Sequence, residues 1–202
     1  MVDWAARNLK VYNDSALELA QYFSGFGPRL DDIGRGLALA SAEAGARVVE
    51  IGCGDGRDAE GIVARVDSYQ GFDPSTELLK LARDKVPRGS FVLADALSYD
   101  YPTELDVVFA FASLLHVNRT DLAIVFARVE QSLRPGGIFY VSLKERAEYI
   151  AETKTDQHGE RMFYYYNPTI LRQMAGTSLT VAYESRQIIG HTDWFTTAFK
   201  KL

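Results

Sequence analysis

The sequence predicts an α/β protein: a three-layer, Rossmann-like sheet, mostly parallel, with helices on both faces. Three observations support this class. Short strand-like segments, the first at residues 47–51, alternate with amphipathic helical segments between residues 45 and 143. The strand-like segments are short and mostly apolar, which is typical of strands buried on both faces. The chain has 202 residues, 47% of them hydrophobic and 24% charged, which suits one globular domain.

The first two thirds of the chain supply most of these elements. Apolar residues near a 3.6-residue spacing predict N-terminal helices within residues 1–44, at 16–23 and 30–44, separated by Gly25, Gly27 and Pro28. Residues 45–143 form the predicted core. Its strands are expected at 47–51, 69–72, 90–93, 105–111 and 138–143, and its helices at 58–65, 76–86 and 121–133.

The last part, residues 144–202, begins differently. Charged residues and a histidine crowd positions 144–161, which predicts a solvated, mobile lid segment. Asn167 and Pro168 suit the N-cap and first position of a last helix, which Gly176 ends. Alternating strands are expected at 179–189 and 194–200. We expect residues 1–202 to form a single domain with these three parts.

Charge and composition exclude several function classes. Acidic residues outnumber basic ones by 27 to 22, which disfavours binding to nucleic acid. Cys53 is the only cysteine, so no internal disulfide can form, and the three histidines lack metal-ligand spacing, so no metal is predicted. No apolar run is long enough to span a membrane. We expect a cytoplasmic protein, a monomer or a homodimer.

The sharpest motif is a glycine loop after the first core strand, with the sequence VVEIGCGDGRD at 48–58. Glycine allows a tight turn and close approach to a ligand, and the following helix presents free N–H groups. The G-x-G-x-G spacing departs from the dinucleotide fingerprint G-x-G-x-x-G, and carboxylates at Glu50, Asp55 and Asp58 would oppose a pyrophosphate. A cationic nucleoside without phosphate fits better. Asp73, about 20 residues beyond the first glycine, is positioned to accept hydrogen bonds from ribose hydroxyls.

Five segments in order resemble the motifs of class I S-adenosylmethionine-dependent methyltransferases: VVEIGCGDGRD (48–58), GFDPS (71–75), LADAL (93–97), LDVVFAFASLLHV (105–117) and SLRPGGIFYVSLK (132–144). The resemblance implies a seven-stranded sheet with an antiparallel C-terminal strand, and N-terminal helices that partly cover the cofactor. It implies S-adenosylmethionine as the cofactor and the following binding residues: Glu50, Gly52, Cys53, Gly54, Asp55, Asp73, Pro74, Ser75, Asp95, Ala96, Phe111, Ala112 and Ser113.

Three of the candidate residues have alternative interpretations. Asp95 is interpreted as an adenine ligand, although an acid after a strand is also a common helix N-cap. Cys53 is interpreted as a small filler between glycines rather than a nucleophile. His116 is the candidate catalytic residue, as a general base or a substrate anchor, and the alternative is a structural histidine.

The acceptor site is predicted from the ends of the chain. Of the 24 aromatic residues, only 8 lie within 31–138, so the surplus gathers in the terminal segments. This predicts an aromatic acceptor site suited to a planar or apolar molecule. The candidate substrate contacts are Tyr12, Tyr22, Lys144, Tyr164 and Tyr166.

The predicted function is methyl transfer from S-adenosylmethionine to an oxygen or nitrogen of a small molecule. The sequence AFAS at 110–113 lacks the motif of enzymes that methylate base amino groups, which favours a small-molecule partner. Two alternatives stay open: a methyltransferase of the same fold acting on protein or RNA, and a non-catalytic protein that binds the cofactor. A nicotinamide oxidoreductase is disfavoured by the loop spacing and by Asp55.

Overall fold

The computed structural model describes residues 2–42 and 44–202. Among these residues, no helix is both long and apolar enough to cross a lipid bilayer. Three helices come first, and strands and helices then alternate to the end of β5. A hairpin, a last helix and two long strands complete the chain. The elements are α1 (Trp4–Asp14), α2 (Ala16–Ser24), α3 (Leu30–Leu39), β1 (Arg47–Ile51), α4 (Arg57–Val63), β2 (Ser68–Asp73), α5 (Thr76–Lys85), β3 (Ser90–Leu93), β4 (Leu105–Phe111), α6 (Arg119–Ser132), β5 (Leu133–Lys144), β6 (Ile150–Asp156), β7 (Gly159–Tyr165), α7 (Pro168–Ala175), β8 (Leu179–Ile189) and β9 (Thr192–Lys201).

Seven strands form one sheet in the order β3-β2-β1-β4-β5-β9-β8. Strands β1 to β5 pair in parallel, and β9 is antiparallel to both of its neighbours. This confirms the predicted fold class, including the closing antiparallel strand. The strand order reverses between β1 and β4, and open sheets of this kind bind ligands at the carboxyl ends of the strands beside such a reversal.

Strand β4 shows why the sheet needs helices on both faces. Val108 and Ala110 point into a core formed with α6 and α7, whereas Val107, Phe109 and Phe111 point into a core formed with α3 and α4. All five side chains are buried. A strand whose two faces are both buried reads in the sequence as a continuous apolar run, as residues 105–111 do.

Helix α3 is shorter than the sequence predicts. The expected helix at 30–44 ends at Leu39, and Glu43 lies outside the described residues. Two cationic side chains from distant strands cap the C-terminus of this helix. Arg134 donates a hydrogen bond to the Ala40 carbonyl at 2.9 Å, and Lys200 donates one to the Leu39 carbonyl at 3.1 Å. Tertiary partners thus satisfy the last carbonyls of the helix, which local periodicity does not encode.

The segment at 144–161 is solvated as predicted, but it forms regular strands where the sequence predicts a mobile stretch. Strand β5 continues to Lys144, and β6 and β7 form an antiparallel hairpin. Asp156 closes its turn by accepting the His158 N–H at 2.9 Å, and Gly159 has a φ of +130°, which favours glycine. Three of the charged residues that suggested a lid, Glu152, Lys154 and Asp156, lie on the exposed strand β6, where charged side chains are typical of sheet edges.

Strand β5 also begins earlier than predicted, at Leu133 instead of residue 138. The sequence Pro135-Gly136-Gly137, which predicts a turn before the strand, instead forms an irregularity within it. The register with β4 shifts between Leu105 and Val107, and Gly136 has a φ of +81°. Helix α6 likewise begins at Arg119, because the Asn118 side chain accepts hydrogen bonds from the N–H groups of Thr120 and Asp121.

Close contact between α3 and β4 gives a stability prediction. A Cβ on Gly36 would lie 2.5 Å from the Phe109 ring, whereas one on Gly34 would meet nothing within 4 Å. We expect Gly36→Val to destabilise the protein by about 1–3 kcal/mol through overpacking, and Gly34→Ala to stabilise it by roughly 0.5–1 kcal/mol through helix propensity. Urea unfolding of both variants checks this, and equal effects of the two substitutions would contradict it.

Candidate functional site

A cleft of about 1040 Å³ lies at the carboxyl ends of β1, β2 and β4. We call it the loop cleft, because the glycine loop forms its floor. The structure brings together in this one cleft every residue that the family resemblance implied for the cofactor. Those residues are Glu50, Gly52, Cys53, Gly54, Asp55, Asp73, Pro74, Ser75, Asp95, Ala96, Phe111, Ala112 and Ser113.

The glycine loop is held by β2 and by the residues after β4. The N–H groups of Gly52 and Cys53 donate to the Phe72 carbonyl at 2.8 and 3.0 Å. Gly52 has a φ of +66°, and a Cβ there would lie 2.3 Å from the Ser113 Cβ, so this glycine is needed for packing. Gly54 has a φ of +54°, and a Cβ there would meet no protein atom within 4 Å. Gly54 therefore lines open space that a ligand can fill.

Asp73 links the glycine loop to the start of α5. Its carboxylate accepts the Gly54 N–H at 3.0 Å on Oδ2 and the Ser75 N–H at 2.8 Å on Oδ1. Burial raises the pKa of Asp73 to about 6, against the effect of these two hydrogen bonds. A carboxylate has about four acceptor sites, so each oxygen keeps capacity for a further donor such as a ribose hydroxyl.

Glu50 lies at the inner end of the loop cleft with a partner that the sequence analysis missed. The Tyr69 hydroxyl donates to Glu50 Oε2 at 2.6 Å. Gly71 makes room for it, because a Cβ there would lie 2.3 Å from the Tyr69 Oη. Burial and, next to it, the charge of the nearby Asp58 raise the pKa of Glu50 to about 8. A bound cation at this position would favour the ionised form of Glu50.

Three other predicted residues have explicit local roles. Asp55 forms an ion pair with Lys85 of α5. Burial raises the pKa of the Cys53 thiol, which agrees with a filler rather than a nucleophile. Asp95 Oδ1 accepts the N–H groups of Leu97 and Ser98 at 2.7 and 2.9 Å, so Asp95 caps a turn at the rim of the loop cleft and not a helix.

His116 is fixed by α1 and β7. Its Nδ1 lies 2.7 Å from the Met162 carbonyl oxygen, which can only accept, so Nδ1 carries the proton. Its Nε2 lies 2.8 Å from the Tyr12 hydroxyl and therefore accepts from it. Burial lowers the pKa of His116 to about 4. His116 is thus neutral at pH 7 with both ring nitrogens engaged, which favours the structural alternative over the general base.

A second cavity of about 1150 Å³ adjoins the loop cleft. We call it the basic chamber. Four residues line both cavities and mark their junction: Tyr12, Phe23, Arg57 and Ala112. Ala112 has a φ of +55°, which is unusual for a residue other than glycine and is typical of functional sites.

The five predicted substrate contacts are placed differently from one another. Tyr12, Tyr22 and Lys144 line the basic chamber, and Tyr164 lines the loop cleft. Tyr166 lies on neither surface, contrary to its prediction as a substrate contact. It is fully buried, and its hydroxyl donates to the Val117 carbonyl at 2.6 Å. Packing and one backbone acceptor therefore account for Tyr166.

Several residues of the basic chamber escaped the sequence analysis. Arg29 precedes α3, Arg161 and Phe163 lie on β7, and Trp194 lies on β9. None of them belongs to a motif. The one available signal was the alternation of Arg161, Phe163 and Tyr165, which predicts a strand with one buried face.

The two cavities carry opposite charge. Among the described residues that line the loop cleft, seven are carboxylates and one is an arginine. Six cationic side chains and three carboxylates line the basic chamber, together with seven aromatic side chains. The loop cleft therefore suits a cationic ligand. The basic chamber has the predicted aromatic lining. Its excess of positive charge also favours an anionic ligand, which the sequence analysis did not predict.

Comparison with known proteins agrees with this geometry. Residues 48–137 match the family described as "Methyltransferase domain". A trans-aconitate 2-methyltransferase from Acidovorax sp. (strain JS42) is 33% identical over 114 residues, which cover 55% of this chain and 43% of that protein. A second such enzyme, from Afipia carboxidovorans, is 25% identical over 73% of this chain and 53% of its own length. The chain spans about half the length of the curated relatives that it matches.

The fold is shared with solved methyltransferase structures. A 1,6-didemethyltoxoflavin-N1-methyltransferase from Burkholderia thailandensis has a TM-score of 0.74 at 18% identity, covering 98% of this chain and 89% of that one. An S-adenosylmethionine-dependent methyltransferase from Leishmania major has a TM-score of 0.76 at 14% identity, with coverage of 98% and 83%. Residues 48–137 of the chain therefore resemble the methyltransferase domain family, and the chain shares the fold of these solved S-adenosylmethionine-dependent methyltransferases.

Asp73 gives the first prediction for this site. We expect Asp73→Ala to weaken binding of S-adenosylmethionine by about 1–3 kcal/mol, the scale of hydrogen bonds to a charged group. Because burial raises the pKa of Asp73 to about 6, the wild-type affinity should fall as the pH drops below that value and the carboxylate is protonated. Calorimetry between pH 5 and pH 8 checks both effects. Asp84→Ala, on the exposed side of α5, is the control.

Gly54 gives a second prediction with a closely matched control. Gly54 and Gly190 both have a positive φ and open space where a Cβ would lie, but only Gly54 lines the loop cleft. We expect Gly54→Val to abolish binding of S-adenosylmethionine and Gly190→Val to preserve it, while both suffer similar backbone strain. Retained binding by a Gly54→Val protein with a normal circular dichroism spectrum would contradict the assignment.

Proposed function

We propose that this protein transfers a methyl group from S-adenosylmethionine to an oxygen or nitrogen of a small molecule. The observation that carries the proposal is the junction of two oppositely charged cavities at Tyr12, Phe23, Arg57 and Ala112. In-line displacement requires a donor and an acceptor to meet at one point away from water. Two cavities that share one wall supply that arrangement.

We assign the donor to the loop cleft. S-adenosylmethionine, when bound, supplies an electrophilic methyl group on a sulfonium. Glu50 offers a carboxylate to a cationic group, and Asp73 offers lone pairs to ribose hydroxyls. Gly54 leaves space for the ligand. The excess of carboxylates in this cleft opposes a dinucleotide, whose pyrophosphate would be repelled.

We propose that positioning, rather than a strong base, does most of the catalytic work. His116 offers no free ring nitrogen, and its Nε2 accepts from Tyr12. Burial raises the pKa of Tyr12, so its hydroxyl stays protonated, and Tyr12 lines both cavities at their junction. Tyr12 is therefore suited to orient an acceptor by hydrogen bonding.

We assign a small-molecule acceptor to the basic chamber. The chamber is bounded by helices α2 and α3, the β6–β7 hairpin and strand β9, so a small ligand would be enclosed by residues from separate elements. The names of the relatives also support this class of acceptor, because trans-aconitate is a small molecule.

Ligand-induced stabilisation tests the donor assignment. We expect S-adenosylmethionine to raise the melting temperature and NADH to leave it unchanged, because only a ligand that binds the folded state stabilises it. Asp73→Ala should reduce the shift. A rise with NADH and none with S-adenosylmethionine would overturn the donor assignment.

Transfer of labelled methyl groups tests the acceptor class. S-adenosylmethionine labelled in the methyl group is incubated with the protein and a cell extract divided by size. We expect label in the small-molecule fraction, with trans-aconitate as the first pure acceptor to assay. Label confined to protein or RNA would favour a macromolecular acceptor, and tight binding without any transfer would favour a non-catalytic binder.

A further inference from the structure

Lys144 is the most unusual cation of the basic chamber. It ends β5 and lies directly opposite Trp194 on β9. Its Nζ is 4.2 Å from the centre of the Phe163 ring and 5.7 Å from that of Trp194. Among the described residues it forms no ion pair with a carboxylate. A half-buried ammonium is thus held against two aromatic rings with no acidic partner.

Arg161 completes the cluster from β7. Its guanidinium lies 5.5 Å from the ring centres of both Tyr12 and Phe163. One end pairs with Asp156, but the buried Nε has no hydrogen-bond partner in the described part of the chain. Arg161 is only 7% exposed. An unpaired donor on a buried charged group is costly.

The charges at this cluster leave an excess of positive charge. Lys144 and Arg161 contribute two positive charges, and Asp156 removes one. A further cation, Arg29, lies 6.0 Å from the Trp194 ring, but it faces Asp58 at 4.0 Å and donates to the Ser142 hydroxyl at 3.2 Å. An excess of positive charge between aromatic walls is complementary to an anionic group on a planar molecule.

We propose that the basic chamber recognises an acceptor bearing a carboxylate, which Lys144 and Arg161 bind between Phe163 and Trp194. This inference rests on the proposed function and specifies its acceptor. Lys144 and Arg161 line the basic chamber but not the loop cleft, so the carboxylate they hold is an anchor that orients the rest of the molecule toward Tyr12. In this arrangement the loop cleft binds the cationic donor and the basic chamber binds the anionic acceptor.

A pair of isosteric probes tests this anchor. The protein is saturated with S-adenosylhomocysteine, and trans-cinnamate and its neutral amide are titrated while tryptophan fluorescence is followed. We expect the carboxylate to bind about tenfold more tightly than the amide, as charge-assisted hydrogen bonds predict. Equal affinities, or no binding of either probe up to its solubility limit, would overturn the proposal.

Two substitutions separate the anchor from the general charge of the chamber. Lys144→Met removes the unpaired ammonium and keeps the length of the side chain. Arg186→Met removes another cation of the chamber, one that already lies 3.1 Å from both Glu145 and Glu184. We expect Lys144→Met to abolish most of the preference for the carboxylate and Arg186→Met to preserve it. Equal losses in both variants would refute a specific anchor.

The affinity for S-adenosylhomocysteine keeps this test distinct from that of the proposed function. Lys144 does not line the loop cleft, so Lys144→Met should bind S-adenosylhomocysteine like the wild type. If the wild type fails to bind S-adenosylhomocysteine, the proposed function itself fails. If it binds S-adenosylhomocysteine but does not distinguish the two probes, only the anchor fails.

The pH dependence supplies a further readout. Burial, followed by the charges of Lys154, Arg161 and Arg146, lowers the pKa of Lys144 to about 8. The ammonium is lost as the pH rises through that value, so affinity for trans-cinnamate should fall between pH 7 and pH 9, and in Lys144→Met it should not. The neighbouring groups that face Lys144 are Glu152 and Lys154 on β6, Arg161 on β7, Arg146 after β5, and His116, whose pKa burial lowers to about 4.

Discussion

The side chain of Asn8 pairs with both backbone polar groups of Met162, and this contact fixes helix α1 against strand β7. Asn8 Oδ1 accepts the Met162 N–H at 2.9 Å, and Asn8 Nδ2 donates to the Met162 carbonyl at 3.0 Å. The same carbonyl accepts from His116, whose other ring nitrogen holds the Tyr12 hydroxyl one turn further along α1. Because α1 lines the loop cleft and β7 lines the basic chamber, this small polar network decides where the two cavities meet. Buried networks of this kind stabilise one arrangement only when each member is satisfied.

The two adjoining cavities carry opposite charges, and these charges affect both the ligands that each cavity can bind and the pKa values of the residues that line it. Carboxylates at Glu50, Asp58 and Asp73 crowd one side of the junction, and burial raises the pKa of Glu50 and of Asp73. On the other side, cations crowd around Lys144, where burial and like charges lower its pKa. Each group is thus held in a state that a ligand of opposite charge would relieve. In the proposed function, the charges that favour each ligand also keep it out of the neighbouring cavity.

The sequence predicts an element correctly where neighbouring residues alone specify it, and it fails where distant residues determine the element. Residues 105–111 predict β4 correctly, because burial on both faces leaves an unbroken apolar run. Residues 144–161 were predicted to be mobile, since the exposed strand β6 is as polar as a mobile segment and only its pairing with β7 makes it a strand. Helix α3 ends early because Arg134 and Lys200, far away in the sequence, cap its carbonyls. Tyr166 was predicted as a pocket residue because it belongs to an aromatic run. It lies directly after β7, and its side chain is buried in the core.

The sequence by itself determined the fold class and the motif residues that line the loop cleft. Those residues follow consecutive strands, and parallel topology brings the carboxyl ends of such strands to one edge of the sheet. Only the tertiary structure showed that Arg29, Arg161 and Trp194 join the predicted contacts Tyr12, Tyr22 and Lys144 in the basic chamber. Arg29, Lys144, Arg161 and Trp194 come from four separate parts of the chain, and they converge because β9 returns antiparallel to β5 and places Trp194 opposite Lys144. Side chains that meet through long-range pairing leave no periodic or spaced pattern, so their shared charge becomes visible only when the chain is folded.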